Sequence, residues 1–232
     1  AVLWWGLDGV WRHAPIGWLT SGVLYWRLHD VKASPDAEPP SLLGMIPRMR
    51  EVFPVLIWIM LPKSLMLVAL AVFLPTYMDA VQGEGLLVSA LALTILEGAG
   101  VVGALFTGTV SDRIGRGRML FIVLVAAPIL LMVFLFGPSW LVVPALIGLG
   151  LTAISPTPVM LAIVQDQFPN NRASANGIFM FLNFIVRAIA IALVGLMADR
   201  VGLTQAFMVS GLLAVFSIPA VFHLPEENEE TQ

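Results

Sequence analysis

Six long apolar segments decide what this chain can fold into. They cover residues 52–78, 86–110, 118–137, 139–164, 174–198 and 204–223. A helix needs about 20 apolar residues to cross the hydrocarbon layer of a bilayer, and each segment reaches that length. Only 12% of the residues are charged, about half the share found in soluble domains. The sequence therefore predicts an all-α fold, a polytopic membrane helix bundle whose surroundings are the lipid bilayer.

A patterned polar stretch separates the second segment from the third. It runs from Gly108 to Arg118 and reads GTVSDRIGRGR. Gly108 allows two backbones to approach closely, and Gly115 can adopt the positive φ that ends a turn. Asp112 lies at a predicted helix end, where unpaired backbone groups attract charge. Three arginines beside the membrane predict that the loop is cytoplasmic; they are Arg113, Arg116 and Arg118.

This stretch resembles the loop motif of the major facilitator superfamily, G-x-x-x-D-R-x-G-R-K/R-K/R. The sequence departs from the motif at Gly117, where the family has a basic residue. Two further stretches, residues 73–77 and 165–169, are similar to the drug-efflux branch near the fosmidomycin-resistance permeases. The resemblance implies a transporter of two six-helix halves, each built from inverted repeats of three helices.

The resemblance also implies how the chain is divided. Residues 1–29 would be a remnant of the fifth and sixth helices, and the proline-rich residues 30–51 would be the central cytoplasmic linker. Residues 52–223 would be the C-terminal six-helix bundle, and residues 224–232 an acidic cytoplasmic tail. The chain begins at Ala1 rather than at Met, so we expect a fragment whose partner is a missing N-terminal six-helix half.

The basic residues are distributed unevenly between the two sides that this topology defines. Eight of them fall on the side of the linker and the polar loop, whereas only Arg12 and Arg200 fall on the other. Cytoplasmic loops are enriched in lysine and arginine. We therefore expect a multi-pass protein of a prokaryotic inner or plasma membrane, with its tail in the cytoplasm.

An internal repeat supports the inverted arrangement. The pattern G-x-x-S-D-R-x-G that begins at Gly108 recurs as G-x-x-A-D-R-x-G from Gly195. The two copies lie three helices apart, and each closes the second helix of a three-helix unit. This is the trace that inverted repeats leave in a transporter sequence.

Three ionisable residues fall near the middle of predicted spans: Lys63, Glu97 and Arg187. Each costs about 2.5–3.5 kcal/mol at a helix centre, so such residues usually face a wet cavity or pair with one another. We expect the three to line a central cavity in which Glu97 carries a coupling proton. Two cations beside one carboxylate favour a solute with an anionic group. The alternative is a buried ion pair that only fixes helix packing.

Other polar and proline residues lie near these charges. Asn176 and Asn183 share one helix face with Arg187, so we assign them to the same cavity, although interhelical hydrogen bonding is the alternative. Prolines interrupt the first span at Pro62 and the fourth at residues 155–158. Broken helices often border the site or act as gates in transporters, but membrane helices also tolerate proline.

The resemblance further implies an inner gate. In the family, an acidic residue at the cytoplasmic end of the fourth span can pair with the arginine loop. Asp166 and Arg172 bracket a short loop at the corresponding place. We expect a bridge between Asp166 and Arg113 to lock the inner side shut, and its rupture to open that side.

The sequence lacks features that several function classes need. It has no cysteine, which excludes a disulfide, a thiolate catalyst and a cysteine metal site. It shows no nucleotide-binding loop, which favours a secondary carrier over an ATP-driven one. We expect no cofactor, no metal, no nucleic-acid partner and no enzymatic activity. The sequence thus predicts secondary active, proton-coupled transport of a small organic solute by alternating access. The alternative is a non-transporting membrane scaffold or sensor with a transporter-like fold.

Overall fold

The computed structural model describes residues 14–29 and 42–224, and every regular element in these two ranges is helical. The chain divides into two compact units, and the boundary in the sequence falls between Pro40 and Ser41. The first unit contains α1, Ala14–Leu28, which at 15 residues is shorter than the roughly 20 residues that a membrane crossing needs. The start of the predicted remnant, most of the predicted linker and nearly all of the acidic tail lie outside the described residues.

The second unit consists of helices that join into six membrane-length spans. The helices are α2 (Leu42–Ala80), α3 (Leu86–Ile114), α4 (Arg116–Phe136), α5 (Val142–Leu149), α6 (Pro156–Gln167), α7 (Arg172–Val201), α8 (Leu203–Ala214) and α9 (Ile218–Val221). A π-helical turn, Gly150–Ile154, joins α5 to α6, and a 3₁₀ turn, Val215–Ser217, joins α8 to α9. In the described residues, six stretches are long and apolar enough to cross a membrane. The prediction of an all-α membrane bundle is therefore confirmed.

The first span begins earlier than its apolar segment. α2 starts at Leu42 and continues through Glu51 without a break. Met45 and Val52 are buried in the same apolar cluster, with 2% and 0% of their surfaces exposed. The helix stays intact across four internal prolines, because its neighbours in the bundle cover it on several sides. The last ten residues of the predicted linker are thus part of the bundle.

Two apolar clusters form the core, one in each half of the spans. Cluster A takes residues 65–78 of α2 and 190–194 of α7. Cluster B takes residues 45–60 of α2 and 175–186 of α7. The third, fourth and sixth spans also contribute residues to both clusters. The second span, α3, contributes buried residues to cluster A alone. The middle of the bundle is therefore a boundary between two separately packed regions.

Glycines bring α3 into backbone contact with the fourth span. A Cβ on Gly103 would lie 2.7 Å from both the Cα and the carbonyl oxygen of Leu151. A Cβ on Gly150 would overlap the carbonyl oxygen of Leu96. Real Cβ atoms do not approach other atoms so closely, and small residues are what permit such a crossing in a membrane. The contact fixes α3 against the π-helical turn.

The two copies of the internal repeat have the same backbone conformation at their last glycine. Gly115 has a φ of 94° and Gly202 a φ of 88°. Each glycine ends one long helix and is followed directly by the next. A residue with a Cβ is strained in this region, so glycine is what allows the chain to turn without a longer loop.

Candidate functional site

A polar layer lies at the boundary between clusters A and B. On α2 the boundary falls between residues 60 and 65, and on α7 between residues 186 and 190. Apolar residues also occur in this gap, but it holds a group of polar or charged side chains: Lys63, Ser64, Ser155, Thr157, Arg187 and Ser217. Four different spans supply them, so the layer crosses the bundle near the middle of the spans.

Lys63 is the buried cation of this layer. Its side chain is 2% exposed, and its Nζ donates a hydrogen bond to Oγ1 of Thr157 at 2.9 Å. Thr157 lies at the start of α6, so this bond joins α2 to α6. Among the described residues, no carboxylate lies within 4.0 Å of Lys63. An ammonium group has three protons to donate, and Thr157 accepts one of them.

Arg187 lies between residues 186 and 190 of α7, at the same boundary between clusters A and B as Lys63 on α2. It projects from α7, which packs against α2, and its side chain is exposed on the six-span unit. Asn176 and Asn183 are half-buried on the same face of α7. The Oδ1 atom of Asn176 is buried and has no hydrogen-bond partner among the described residues. The structure therefore places Arg187 at the level of Lys63 on a neighbouring helix and aligns both asparagines with Arg187.

Glu97 stands apart from these two cations. It lies on the exposed surface of α3, and it forms no ion pair within 4.0 Å in the part of the chain that the structure describes. Its side of α3 carries four small side chains at helical spacing and one larger one, Val101; the small ones are Ala90, Thr94, Ala104 and Gly108. A helix surface of this kind lets a second helix approach closely. Among the described residues, Glu97 therefore forms no ion pair with either of the two predicted cations.

Three of the predicted gate residues, Asp112, Arg116 and Asp166, meet where α3, α4 and α6 end or begin. Arg116 Nε lies 2.5 Å from Asp166 Oδ2, and Arg116 Nη2 donates to Asp166 Oδ1 at 3.3 Å. Asp112 Oδ1 lies 3.6 Å from the same guanidinium group. Asp166 therefore pairs with Arg116 rather than with the predicted Arg113. Gly115 turns the chain so that Arg116 points toward α6, whereas Arg113 remains exposed on the last turn of α3.

The structure adds residues to this polar network that sequence reasoning missed. Arg48 on α2 donates a hydrogen bond to Gln167, the neighbour of Asp166, and its Nη1 lies 2.7 Å from Glu51 Oε2. The spacing of Arg48 and Glu51 is typical of a helical ion pair, but their position in the predicted linker hid their role. Arg172, the remaining predicted gate residue, is exposed at the first position of α7.

The comparison with known proteins agrees with this architecture. A family model described as Major Facilitator Superfamily matches residues 11–191, which is more than half of the chain. The chain belongs to the Major Facilitator Superfamily. Two curated relatives, each named as an uncharacterized transporter, come from Buchnera aphidicola. The relative from subspecies Schizaphis graminum is 29% identical over 132 residues, and that from subspecies Acyrthosiphon pisum is 30% identical over 132 residues.

These alignments also set the extent of the similarity. They cover 56% of this chain and 32% of each relative, so the chain spans about a third of the length of the curated relatives it matches. As a Major Facilitator Superfamily member with six membrane-length helices, it is an integral, multi-pass membrane protein. In the described residues, no group of three or more histidine, aspartate or glutamate side chains could hold a metal ion.

Proposed function

We propose that this Major Facilitator Superfamily protein is a secondary active transporter that moves a small organic solute by alternating access. The observation that carries the proposal is the polar layer between clusters A and B. Charged side chains at mid-span are costly, by about 2.5–3.5 kcal/mol each on insertion scales. A bundle that served only as a scaffold would gain stability by replacing Lys63 and Arg187 with apolar residues. The presence of both residues at the same depth in the bundle supports a solute site at that depth.

The proposal assigns proton coupling to Glu97. Its carboxylate lies near the middle of α3 and forms no ion pair with another described residue, so protonation breaks no existing bridge. The small side chains along this face of α3 suit contact with a second six-helix half, the partner that we propose for this chain. Glu97 would then lie between the two halves, where a change of access can move it from one aqueous side to the other.

The polar network at the ends of α3, α4 and α6 acts as the inner gate in this proposal. The two hydrogen-bonding contacts between Arg116 and Asp166 hold the third span to the fourth while the inner side is closed. Opening that side requires the pair to separate. In line with the efflux branch that the sequence resembles, the solute moves outward in exchange for protons, across a prokaryotic inner membrane with the chain's tail in the cytoplasm.

Proton flux in proteoliposomes tests this function. The full-length protein is reconstituted with a pH-sensitive dye inside, and small organic solutes are added one at a time. We expect at least one solute to drive proton movement, and we expect Glu97→Gln to abolish that movement. Glu84→Gln is the matched control, because Glu84 is exposed in the turn before α3. Solute-dependent proton flux that persists in Glu97→Gln would rule out Glu97 as the carrier. Absence of flux for every solute would favour the scaffold or sensor alternative.

A further inference from the structure

The structure assigns an anion-binding subsite to the polar layer. We propose that the transported solute carries a carboxylate or phosphate group, and that Lys63, Arg187 and the hydroxyl of Thr157 bind this group. The inference rests on the proposed transport function, because it names the chemical class of the transported solute. Binding itself can be measured without transport.

The first argument is the incomplete pairing of Lys63. Its ammonium group is almost fully buried, yet its one hydrogen bond among the described residues goes to a neutral hydroxyl. A buried charge is strongly unfavourable unless it is paired and hydrogen-bonded. The described part of the bundle supplies no carboxylate for it within ion-pair distance. An anion that contacts Nζ would satisfy this group.

The second argument is the like charge of Arg187. Its guanidinium and the ammonium of Lys63 lie at the same boundary between clusters A and B, on two helices that pack together, and repulsion between two cations at this depth raises the free energy of the layer. Arg187 forms no ion pair with any residue that the structure describes. One anionic group beside both cations would remove this repulsion. A guanidinium can also bind a carboxylate or phosphate through two parallel hydrogen bonds.

The third argument is access through Thr157. Its side chain is half-buried, and Pro158 and Leu161 on the same helix are also partly exposed. Thr157 accepts a hydrogen bond from Lys63, which leaves its own hydroxyl proton available for donation. An anion that arrives at the exposed side of α6 would thus meet a donor first and the buried ammonium behind it.

Thermal unfolding of the purified full-length protein tests the subsite. The probes are acetate, succinate, citrate and glycerol 3-phosphate, with succinamide and glycerol as neutral counterparts. We expect at least one of the anions to raise the unfolding midpoint and neither neutral compound to do so. A preference for glycerol 3-phosphate over succinate and citrate, or the reverse, tells phosphate from carboxylate. We expect Lys63→Gln and Arg187→Gln each to weaken the apparent affinity about tenfold or more, which corresponds to about 1.4 kcal/mol.

The control is Arg200→Gln, which removes one positive charge from the outer end of α7 and should leave the affinity unchanged. Without any anion, Lys63→Gln should unfold at the same temperature as the unmodified protein or a higher one, because an amide needs no counter-ion. A lower midpoint would show that contacts within the protein already satisfy the ammonium group, which contradicts the subsite. The subsite is also refuted if no anion stabilises the protein, or if Lys63→Gln leaves the stabilisation intact.

The subsite and the transport function can fail separately. Anion binding without solute-driven proton flux would remove the transport function and leave the subsite. Transport of a neutral solute that survives Lys63→Gln would remove the subsite and leave the transport function.

Discussion

The choice of partner for Asp166 shows what a single residue decides. Three arginines follow one another within six positions of the polar loop, and charge alone does not distinguish them. Arg113 belongs to the last turn of α3, whereas Arg116 is the first residue of α4 after the Gly115 turn. The Arg116 side chain is only 19% exposed and lies near both Asp112 and Asp166. The position of Arg116 after the turn therefore makes it, rather than either of the other two arginines, the partner of Asp166.

A double-mutant cycle tests this choice. We expect Arg116→Gln and Asp166→Asn to show a coupling of about 1 kcal/mol in the free energy of unfolding, the upper range for partly exposed ion pairs. The same cycle with Arg113→Gln should give a coupling near zero, because Arg113 is not bonded to Asp166. Chemical denaturation in detergent provides the measurement. Equal coupling for the two arginines would contradict the assignment of the gate.

At the scale of elements, the contact between α3 and the π-helical turn dominates the packing of the fourth span. Pro156 and Pro158 lack the amide protons that would continue a regular helix through this region. The helix widens to a π-helical turn at residues 150–154, and glycines on both sides let the backbones touch. Such turns often occur at functional sites, and Thr157, the partner of Lys63, lies three residues after the end of this one.

Two alanine substitutions on α3 test this contact. Gly103→Ala places a Cβ within 2.7 Å of the Leu151 backbone, and we expect it to lower the free energy of unfolding by about 1–3 kcal/mol through overpacking. Gly98→Ala, in open space on the same helix, should be neutral or stabilising by up to about 1 kcal/mol, because alanine favours helix. Thermal unfolding of both variants provides the comparison. Equal stability of the two variants would mean that the contact with Leu151 does not limit the size of residue 103.

At the scale of the whole molecule, exposure of mid-span charge is the decisive feature. Glu97 and Arg187 are both exposed on the six-span unit, and hydrocarbon cannot solvate either group. Their faces must therefore meet protein or a water-filled cavity. A second six-helix half would provide such surroundings for both charges. Glu97 and Arg187 belong to α3 and α7, and these are the two least buried of the six spans.

The orientation of the molecule can be tested with single cysteines, since the chain has none of its own. An impermeant thiol reagent should label Gln82→Cys from outside the cell, and it should label Gly117→Cys only after the membrane is opened. The expectation rests on the excess of basic residues on the side of the polar loop. The protein without cysteine is the blank. Labelling of position 117 from outside would reverse the topology.

The sequence by itself determined the spans, the turns and the family motif. Each of these depends on residues that are close together in the chain. Six apolar runs of membrane length indicate six helices, and a glycine that precedes the next helix indicates a sharp turn. The sequence also predicts that Lys63 and Arg187 lie at mid-span. The rise per residue of a helix is constant, so the residue number gives the depth along the span.

Only the tertiary structure decided which side chains meet. Lys63 bonds to Thr157 across 94 positions, and Arg48 to Gln167 across 119. Such contacts depend on the rotation of each helix about its axis and on its crossing with neighbours, and local sequence fixes neither. The start of α2 was also decided by packing. Composition alone assigns this part of the chain to the linker, but the helix includes it, and Met45 is buried there. Helix packing, rather than hydropathy, joined Lys63 to Thr157 and left Glu97 on the exposed surface of α3.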